Sequence, residues 1–358
     1  MTDISRATAV LTVDLDAVVA NWRLLAAKAR PAEAAAVVKA DAYGLGADKV
    51  APALFAAGCR RFFVATIDEG LELRRVLPEG EVFVLCGPLP GSEPEFARAG
   101  LTPVLNSLEQ IALWSAFAPG SDAVVHVDTG MSRLGLTAAD LDRVDVSRLK
   151  LALVMSHMAC ADEAGSTMNA GQLRTFRAMA ARLPQAPLSL AASSAIFLGA
   201  GYHFDLVRPG AALYGVNPTP DAANPMAQVV RLQGKILQVR DVDTPQTVGY
   251  GATHRVAGPA RIATVAVGYA DGWFRSLGNR GHGIIGGVKV PVAGRISMDL
   301  TTFDVTAAPA EAVHAGAMID LLGDHVTVDT VAGEAGTIGY EVLTALGRRY
   351  LRQYRGCA

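Results

Sequence analysis

Eight short apolar runs alternate with stretches of helical spacing ahead of Pro220, and this alternation constrains the chain more than any other feature. The runs begin at Ala34, Arg61, Glu81, Thr102, Asp122, Lys150, Pro187 and Phe204. A short apolar run bounded by turn residues reads as a buried strand. Between the runs lie helix-like patterns. Val18, Val19, Trp22, Leu25 and Ala26 precede the first, and Leu173, Phe176, Met179 and Leu183 precede the seventh. Strands alternating with helices imply a parallel sheet, and eight of them predict a closed (β/α)8 barrel of the TIM type. An open doubly wound sheet fits the same alternation. Its dinucleotide-binding version is disfavoured because no Gly-x-Gly-x-x-Gly follows the first strand.

After Asn217-Pro218-Thr219-Pro220 the texture changes. The Pro- and Asp-containing residues through Pro225 read as a linker. Beyond them come β-rich runs at Val229 to Val239, Ala260 to Val267, Gly287 to Val292 and Met318 to Leu322, then a helical stretch from Tyr340 to Leu351. The expectation is a barrel domain over residues 1–222 and a mostly-β C-terminal domain over 223–358. A chain of 358 residues is too long for one ordinary core, and 51% hydrophobic against 18% charged residues is enough to fill two. The net charge of −2, without a basic block, argues against nucleic acid or an anionic membrane as partner. No signal segment is legible at the N-terminus, and no apolar stretch reaches membrane-spanning length. Cys59, Cys86, Cys160 and Cys357 are scattered without Cys-x-x-Cys spacing. They read as reduced thiols of a cytoplasmic protein, with neither a disulfide frame nor a metal site.

The barrel expectation allows a test within the sequence, because such barrels carry their sites on the loops after the strands. Lys39, in VVKADAYGLGA, ends the first strand. Arg133 follows the fifth in HVDTGMSRLGL, His157 the sixth in VMSHMACAD, Ser194 the seventh in LAASSAI, and Arg208 ends the eighth in DLVRPGAALYG. All fall on one rim. Each has an ordinary reading in isolation: a lysine snorkelling into water, a surface ion-pair partner, a core histidine, a helix N-cap. Together they suggest chemistry. A lysine stripped of part of its hydration has a lowered pKa and becomes nucleophilic toward carbonyls, as a Schiff-base lysine must be. The Ser194 hydroxyl and the backbone N–H groups of the Gly210-Ala211 turn can cradle a phosphate without a basic side chain, with Tyr43 adding a phenolic donor.

The run Val-Val-Lys-Ala-Asp-Ala-Tyr-Gly-Leu-Gly resembles the cofactor-lysine motif of alanine racemases, which bind pyridoxal phosphate (PLP). The resemblance continues through Asp-Thr-Gly-Met at 128–131, VGYGATH, VGYADG, GRISMDL and GYEVL. It implies interconversion of L- and D-alanine, supplying D-alanine for peptidoglycan. A racemase of another small amino acid such as serine is the alternative. By this resemblance Tyr43, Ser194, Gly210, Ala211 and Tyr340 hold the PLP phosphate, and Arg208 faces the pyridine nitrogen. His157 packs near the ring and orients Arg208. Arg133 lies near the cofactor's phenolic oxygen and the substrate carboxylate. Because arginine keeps its proton near neutral pH, the ring nitrogen is expected to stay unprotonated, a weaker electron sink that suits racemisation over transamination. Racemisation needs a base on each face of Cα. Lys39 and Tyr250 are the implied pair, with a cationic network through His157 and Arg208 to lower the tyrosine pKa. Tyr269 is implied at the substrate entry, and Met298 and Asp299 near the substrate carboxylate. The resemblance also implies a homodimer in which Tyr250, Tyr269, Met298 and Asp299 act in trans. A basic-amino-acid decarboxylase on the same cofactor barrel would carry a longer chain and a catalytic cysteine motif in the β domain, where only Cys357 is found. A single-barrel PLP carrier would lack both the β domain and Tyr250.

One position departs from the pattern. Many alanine racemases carry a carbamylated lysine just before Asp-Thr-Gly-Met, which buttresses the site arginine. Here that position is His126. A carbamate offers two acceptor oxygens, whereas a neutral histidine offers one acceptor nitrogen. Arg133 must then be held either by His126 as acceptor or by a small anion, and activity is expected to be independent of bicarbonate. The Asn that often precedes the serine in this family is also missing before Ser194.

Overall fold

The computed structural model describes residues 4–356, so Cys357 lies outside the described residues. The chain forms two compact units, one of residues 18–227 and one that joins the N-terminal segment through Ala17 to the residues from Gln228 onward.

In the 18–227 unit every apolar run identified above carries a strand. Ala36–Val37, Arg61–Val64, Glu81–Val84, Leu101–Leu105, Asp122–His126, Lys150–Met155 and Leu188–Ser189 form one curled parallel sheet in sequence order. Leu206–Val207 pairs in parallel with Glu33–Ala34. The strands are buried through most of their length, and Phe63 and Phe83 stack across neighbouring strands at 4.7 Å. Such unbroken apolar runs are what a parallel sheet covered on both faces requires. The covering helices start where the side chains provide caps. Thr66 Oγ1 accepts from Glu69 N at 3.4 Å while the Glu69 carboxylate returns to Thr66 N, a capping box that opens Ile67–Val76. Ser107 accepts from Gln110 N at 3.3 Å and opens Leu108–Phe117. The alternation is not complete. Between Asp122–His126 and Lys150–Met155 the connection contains only a 3-10 turn at Asp140–Asp142, because Gly130 and Gly135 take up left-handed backbone where a helix would begin.

The second unit is built on the long strand Val230–Val242. It pairs antiparallel with Ala9–Asp14, Ala260–Val265 and Met318–Leu322. The Gly287 to Val292 run supplies the strand Val288–Pro291, paired with His282–Ile285. The helix expected from Tyr340 to Leu351 is shorter than that. It covers Gly339–Ala345, and Leu351–Arg355 is a strand running parallel to Ala9–Asp14. Gly347 N turns the chain onto Asp271 O at 2.9 Å, which ends the helical path before the strand. The Ala9–Asp14 strand itself had no separate signature, since its apolar residues run straight into those of the Leu15–Ala29 helix. Among the described residues no helix is long and apolar enough to cross a membrane, and no group of three or more His, Cys, Asp or Glu is placed to hold a metal ion.

Candidate active site

Lys39 leaves the sheet one residue after Ala36–Val37 and Val38, and the chain then does something unusual. Ala40, Asp41, Ala42 and Tyr43 have φ of 52, 55, 53 and 56°, a full left-handed turn of residues that each carry a Cβ. Left-handed helix costs about 1–2 kcal/mol per residue, so the turn stores strain that surrounding bonds must offset. They do so at both ends. Glu69 Oε1 accepts from Ala40 N at 2.8 Å, and Asp41 Oδ1 accepts from Ala47 N at 2.7 Å. Ala42 N reaches back to Val38 O at 2.9 Å. The result aims Lys39 from a rigid base. Burial, with the Arg133 guanidinium adding to it, holds the Lys39 amine below its ordinary value, while Glu69 and Cys86 pull the other way. Sequence reasoning missed Glu69 as a site-shaping residue, and the only local signal that could have found it is the Thr66-x-x-Glu69 capping-box spacing.

The turn places Tyr43 against Tyr214, with ring centroids 4.8 Å apart, and its hydroxyl against Gly210. A Cβ on Gly210 would come within 2.4 Å of Tyr43 Oη, so only glycine allows this approach. The Gly210 N–H is not open, however. It donates to Ser193 Oγ at 3.0 Å, and Ala212 N donates to the same oxygen at 3.2 Å. Ser193, at the position of the family's Asn, therefore shapes the Gly210-Ala211 turn from inside the fold. Half-buried Ser194 begins a 3-10 turn beside it and donates no hydrogen bond of its own among the described residues, and Ala211 N has no acceptor there either.

Arg208 is 3% exposed. It donates to the Ser156 carbonyl at 2.6 Å and to Ser189 Oγ, and lies 6.0 Å from the centre of the Phe63 ring. No carboxylate pairs with it among the described residues, and burial brings it down to about 9, which still leaves it charged at neutral pH. His157 is pushed down to about 3 by burial and then by Arg208 and Arg133. It is therefore neutral in the physiological range, so His157 adds no positive charge to that of Arg208, against the expectation above. His126, at the end of its strand, is pushed down to about 4 by the same causes. Its Nδ1 lies 2.8 Å from Asn106 Oδ1.

Arg133 sits on a loop organised by Asp128. One carboxylate accepts from Gly130 N, Met131 N and Ser132 N at 2.9 to 3.2 Å. Burial pushes the Asp128 carboxyl up, but these three N–H groups outweigh it and hold the pKa below its ordinary value. Gln172, 2% exposed, ties this loop to the next. It donates to Thr129 Oγ1 and to His157 O, both at 3.1 Å, and accepts from Ala159 N at 2.9 Å. Arg133 itself is exposed and has no hydrogen bond or ion pair among the described residues.

In the second unit Tyr250, Tyr269 and Met298 line one cavity of about 490 Å³ together with Arg275 and Arg295. Ala270 N donates to Met298 O at 2.9 Å, joining the two motif loops. Arg349 clamps them from behind. It donates to both Asp271 oxygens at 2.5 and 2.8 Å and to Asp299 Oδ1 at 2.7 Å. Asp299 is therefore a partner of Arg349. Tyr340 lies on the Gly339–Ala345 helix and is 39% exposed.

A lysine held below its ordinary pKa, in a unit whose buried Arg208 has no carboxylate partner among the described residues, suits an enzyme acting on a carbonyl compound that brings its own negative charge. Relatives narrow the class. Residues 13–218 match the family model for the alanine racemase N-terminal domain and residues 229–354 that for the C-terminal domain. An alanine racemase of Rhodospirillum rubrum is 56% identical over 98% of this chain and 97% of its own length. One of Rhizobium meliloti is 48% identical over 98% of both. Among solved structures, alanine racemase from Bartonella henselae with covalently bound pyridoxal phosphate superposes with a TM-score of 0.93 at 41% identity, over 98% of this chain and 100% of that one. The chain belongs to the alanine racemase family.

Proposed function

We propose that the protein is an alanine racemase, which uses PLP to interconvert L-alanine and D-alanine. The observation that carries this is Lys39, strand-anchored, half-buried and held below its ordinary pKa, at the motif position of a family with a member solved with covalently bound PLP. Relatives named alanine racemases at up to 56% identity over nearly the whole chain leave serine disfavoured as substrate. The parallel sheet closes into an eight-stranded barrel in this reading. Supporting this, Val37 N donates to Pro209 O and Arg208 N to Ala191 O, both at 2.9 Å, bridging the last strands to the first.

The residues present fit PLP. A Cβ at Gly210 would displace Tyr43 Oη, and the Ala211 N–H, Ser194 hydroxyl and Tyr43 hydroxyl are the donors for a cofactor phosphate. Gly210 serves through its missing side chain more than its amide. When bound, PLP supplies an electron-withdrawing ring that acidifies the amino-acid Cα–H. Arg208, which holds its proton, would be the donor toward the cofactor's ring nitrogen, with neutral His157 beside it. Arg133 binds the substrate carboxylate, with the Met298 N–H and the Asp299 loop completing that end. Lys39 Nζ and Tyr250 Oη take and return the proton on opposite faces of Cα, and Tyr269 narrows the entry to a small side chain. Tyr250, 71% exposed, and Met298, 55% exposed, are large side chains left open to a second copy, which supports a homodimer with shared sites. D-alanine made in the cytoplasm would serve peptidoglycan synthesis, and the free thiols of Cys59, Cys86 and Cys160 fit that compartment. The test is absorbance near ~420 nm and D-alanine formation from L-alanine in an oxidase-coupled assay, both lost in Lys39→Ala. A protein that forms no such absorbance after reconstitution refutes the reading.

A further inference from the structure

We propose that Arg349 is a positioning residue for substrate selection: its guanidinium fixes the turn that carries Tyr269 against the loop that carries Met298, and so sets the opening that admits the amino-acid side chain. This rests on the reading of Tyr269 as the residue that narrows the entry. No motif marks Arg349, which lies between the Gly339–Ala345 helix and the Leu351–Arg355 strand. In the structure all three of its guanidinium nitrogens are in use. Nε and Nη2 donate to the two oxygens of Asp271 at 2.5 and 2.8 Å, and Nη1 donates to Asp299 Oδ1 at 2.7 Å. A planar fork meets one carboxylate with two parallel bonds and still reaches a second carboxylate, which the point charge of a lysine cannot do. The Asp271 pair is more than a surface contact. Asp271 is 4% exposed, and its Oδ2 also accepts from Gly268 N at 2.9 Å, closing the Tyr269–Asp271 turn. Exposed ion pairs contribute little, whereas a buried carboxylate that loses its cation is left uncompensated. Without Arg349 the turn must open to hydrate Asp271.

The turn and the loop already touch through their backbones. Tyr269 N donates to Ser297 O at 3.0 Å and Ala270 N to Met298 O at 2.9 Å. A Cβ on Gly268 would lie 2.4 Å from Met298 O, so the approach is close. Arg349 binds the same two segments from the opposite side, and its own backbone is anchored. Gly347 N donates to Asp271 O at 2.9 Å, and a Cβ on Gly272 would lie 1.8 Å from Ala345 O. Beyond Arg349 the Leu351–Arg355 strand joins Ala9–Asp14. Segments far apart in sequence thus hold one another, and Arg349 is the side chain that bonds to the carboxylates of both motif loops. Tyr269 and Met298 line one cavity with Tyr250, so a shift of turn against loop changes its opening directly.

Selectivity of the holoenzyme between L-alanine and L-α-aminobutyrate, one methylene longer, tests this. The two substrates share a carboxylate, so a direct effect on carboxylate binding cancels in their ratio of kcat/KM, and the room for the side chain remains. Arg349→Lys should lower the preference for alanine about 5-fold or more while absorbance near ~420 nm persists. Asp299→Asn leaves the buried pair intact and should lower it about 2-fold, and the double variant should show no more than Arg349→Lys alone. An unchanged ratio in Arg349→Lys, or effects of the two changes that multiply, overturns the proposal. Where Arg349→Lys does not fold, an unchanged ratio in Asp299→Asn overturns it equally. Hydrogen exchange followed by mass spectrometry reads the clamp without the reaction. In Arg349→Lys the peptides covering residues 268–272 and 297–300 should exchange about 10-fold faster, with the strand Arg61–Val64 unchanged. Equal exchange also overturns the proposal. Faster exchange in the variant, with an unaltered protein that racemises neither amino acid, keeps the clamp and sinks the racemase reading instead.

Discussion

Acidification should destabilise the 18–227 unit through His126 in a way that one substitution removes. The unfolded chain takes up a proton at this imidazole near its ordinary value of 6.5, whereas the folded site resists until about 4. Between those values the unfolded state binds more protons, so stability rises with pH there. It is complete above 6.5 and is lost as pH falls toward 4. The gap sets a ceiling of about 3 kcal/mol, of which about 2 kcal/mol is reached by about pH 5. His157 contributes with the same sign to still lower pH, so the total loss exceeds this and the difference between proteins isolates His126. Urea unfolding of the full chain and of His126→Gln should be followed by tryptophan fluorescence, with Trp22 and Trp114 reporting on this unit. Between about pH 7.5 and pH 5 the unaltered protein should lose about 2 kcal/mol more than the variant. Equal losses would refute the claim that this histidine is buried in its neutral form.

Three other outcomes follow from the site. Gly210→Ala drives a methyl to 2.4 Å from Tyr43 Oη and 3.3 Å from Val37 Cβ, and overpacking of about 1–3 kcal/mol should cost roughly 10-fold in PLP affinity, measured by equilibrium dialysis. Tyr250→Phe removes a proton carrier without touching the lysine, so racemisation should fall by about 10²–10⁴ while absorbance near ~420 nm persists. Because His126 stands where the family resemblance implies a carbamylated lysine, depletion and return of bicarbonate should leave the rate unchanged. Recovery of activity on adding bicarbonate would contradict it.

The sequence alone determined a good deal of this molecule. The short unbroken apolar runs, separated by period-3.6 patterns, placed a strand in each of the eight runs of the 18–227 unit, because burial on both faces of a parallel sheet demands unbroken apolar segments. The motifs marked Lys39, Arg133, His157 and Arg208 at strand ends, since a strand end is a position that can be counted along the chain. What tertiary structure decided depends on partners far away in sequence. Four non-glycine residues from Ala40 to Tyr43 would not be read as left-handed from their identities, and they hold that shape because Glu69 accepts the Ala40 N–H. The final strand, Leu351–Arg355, had no signature of its own beyond a helical stretch expected as far as Leu351, and it is β because Ala9–Asp14 offers it an edge. The charge state of His157 was misjudged for the same reason. An ordinary imidazole is near half-protonation close to neutrality, and only its burial beside Arg208 and Arg133 makes it neutral. Propensity and spacing act over a few residues, whereas hydration and hydrogen-bond partners are set by whatever the folded chain brings within a few ångströms.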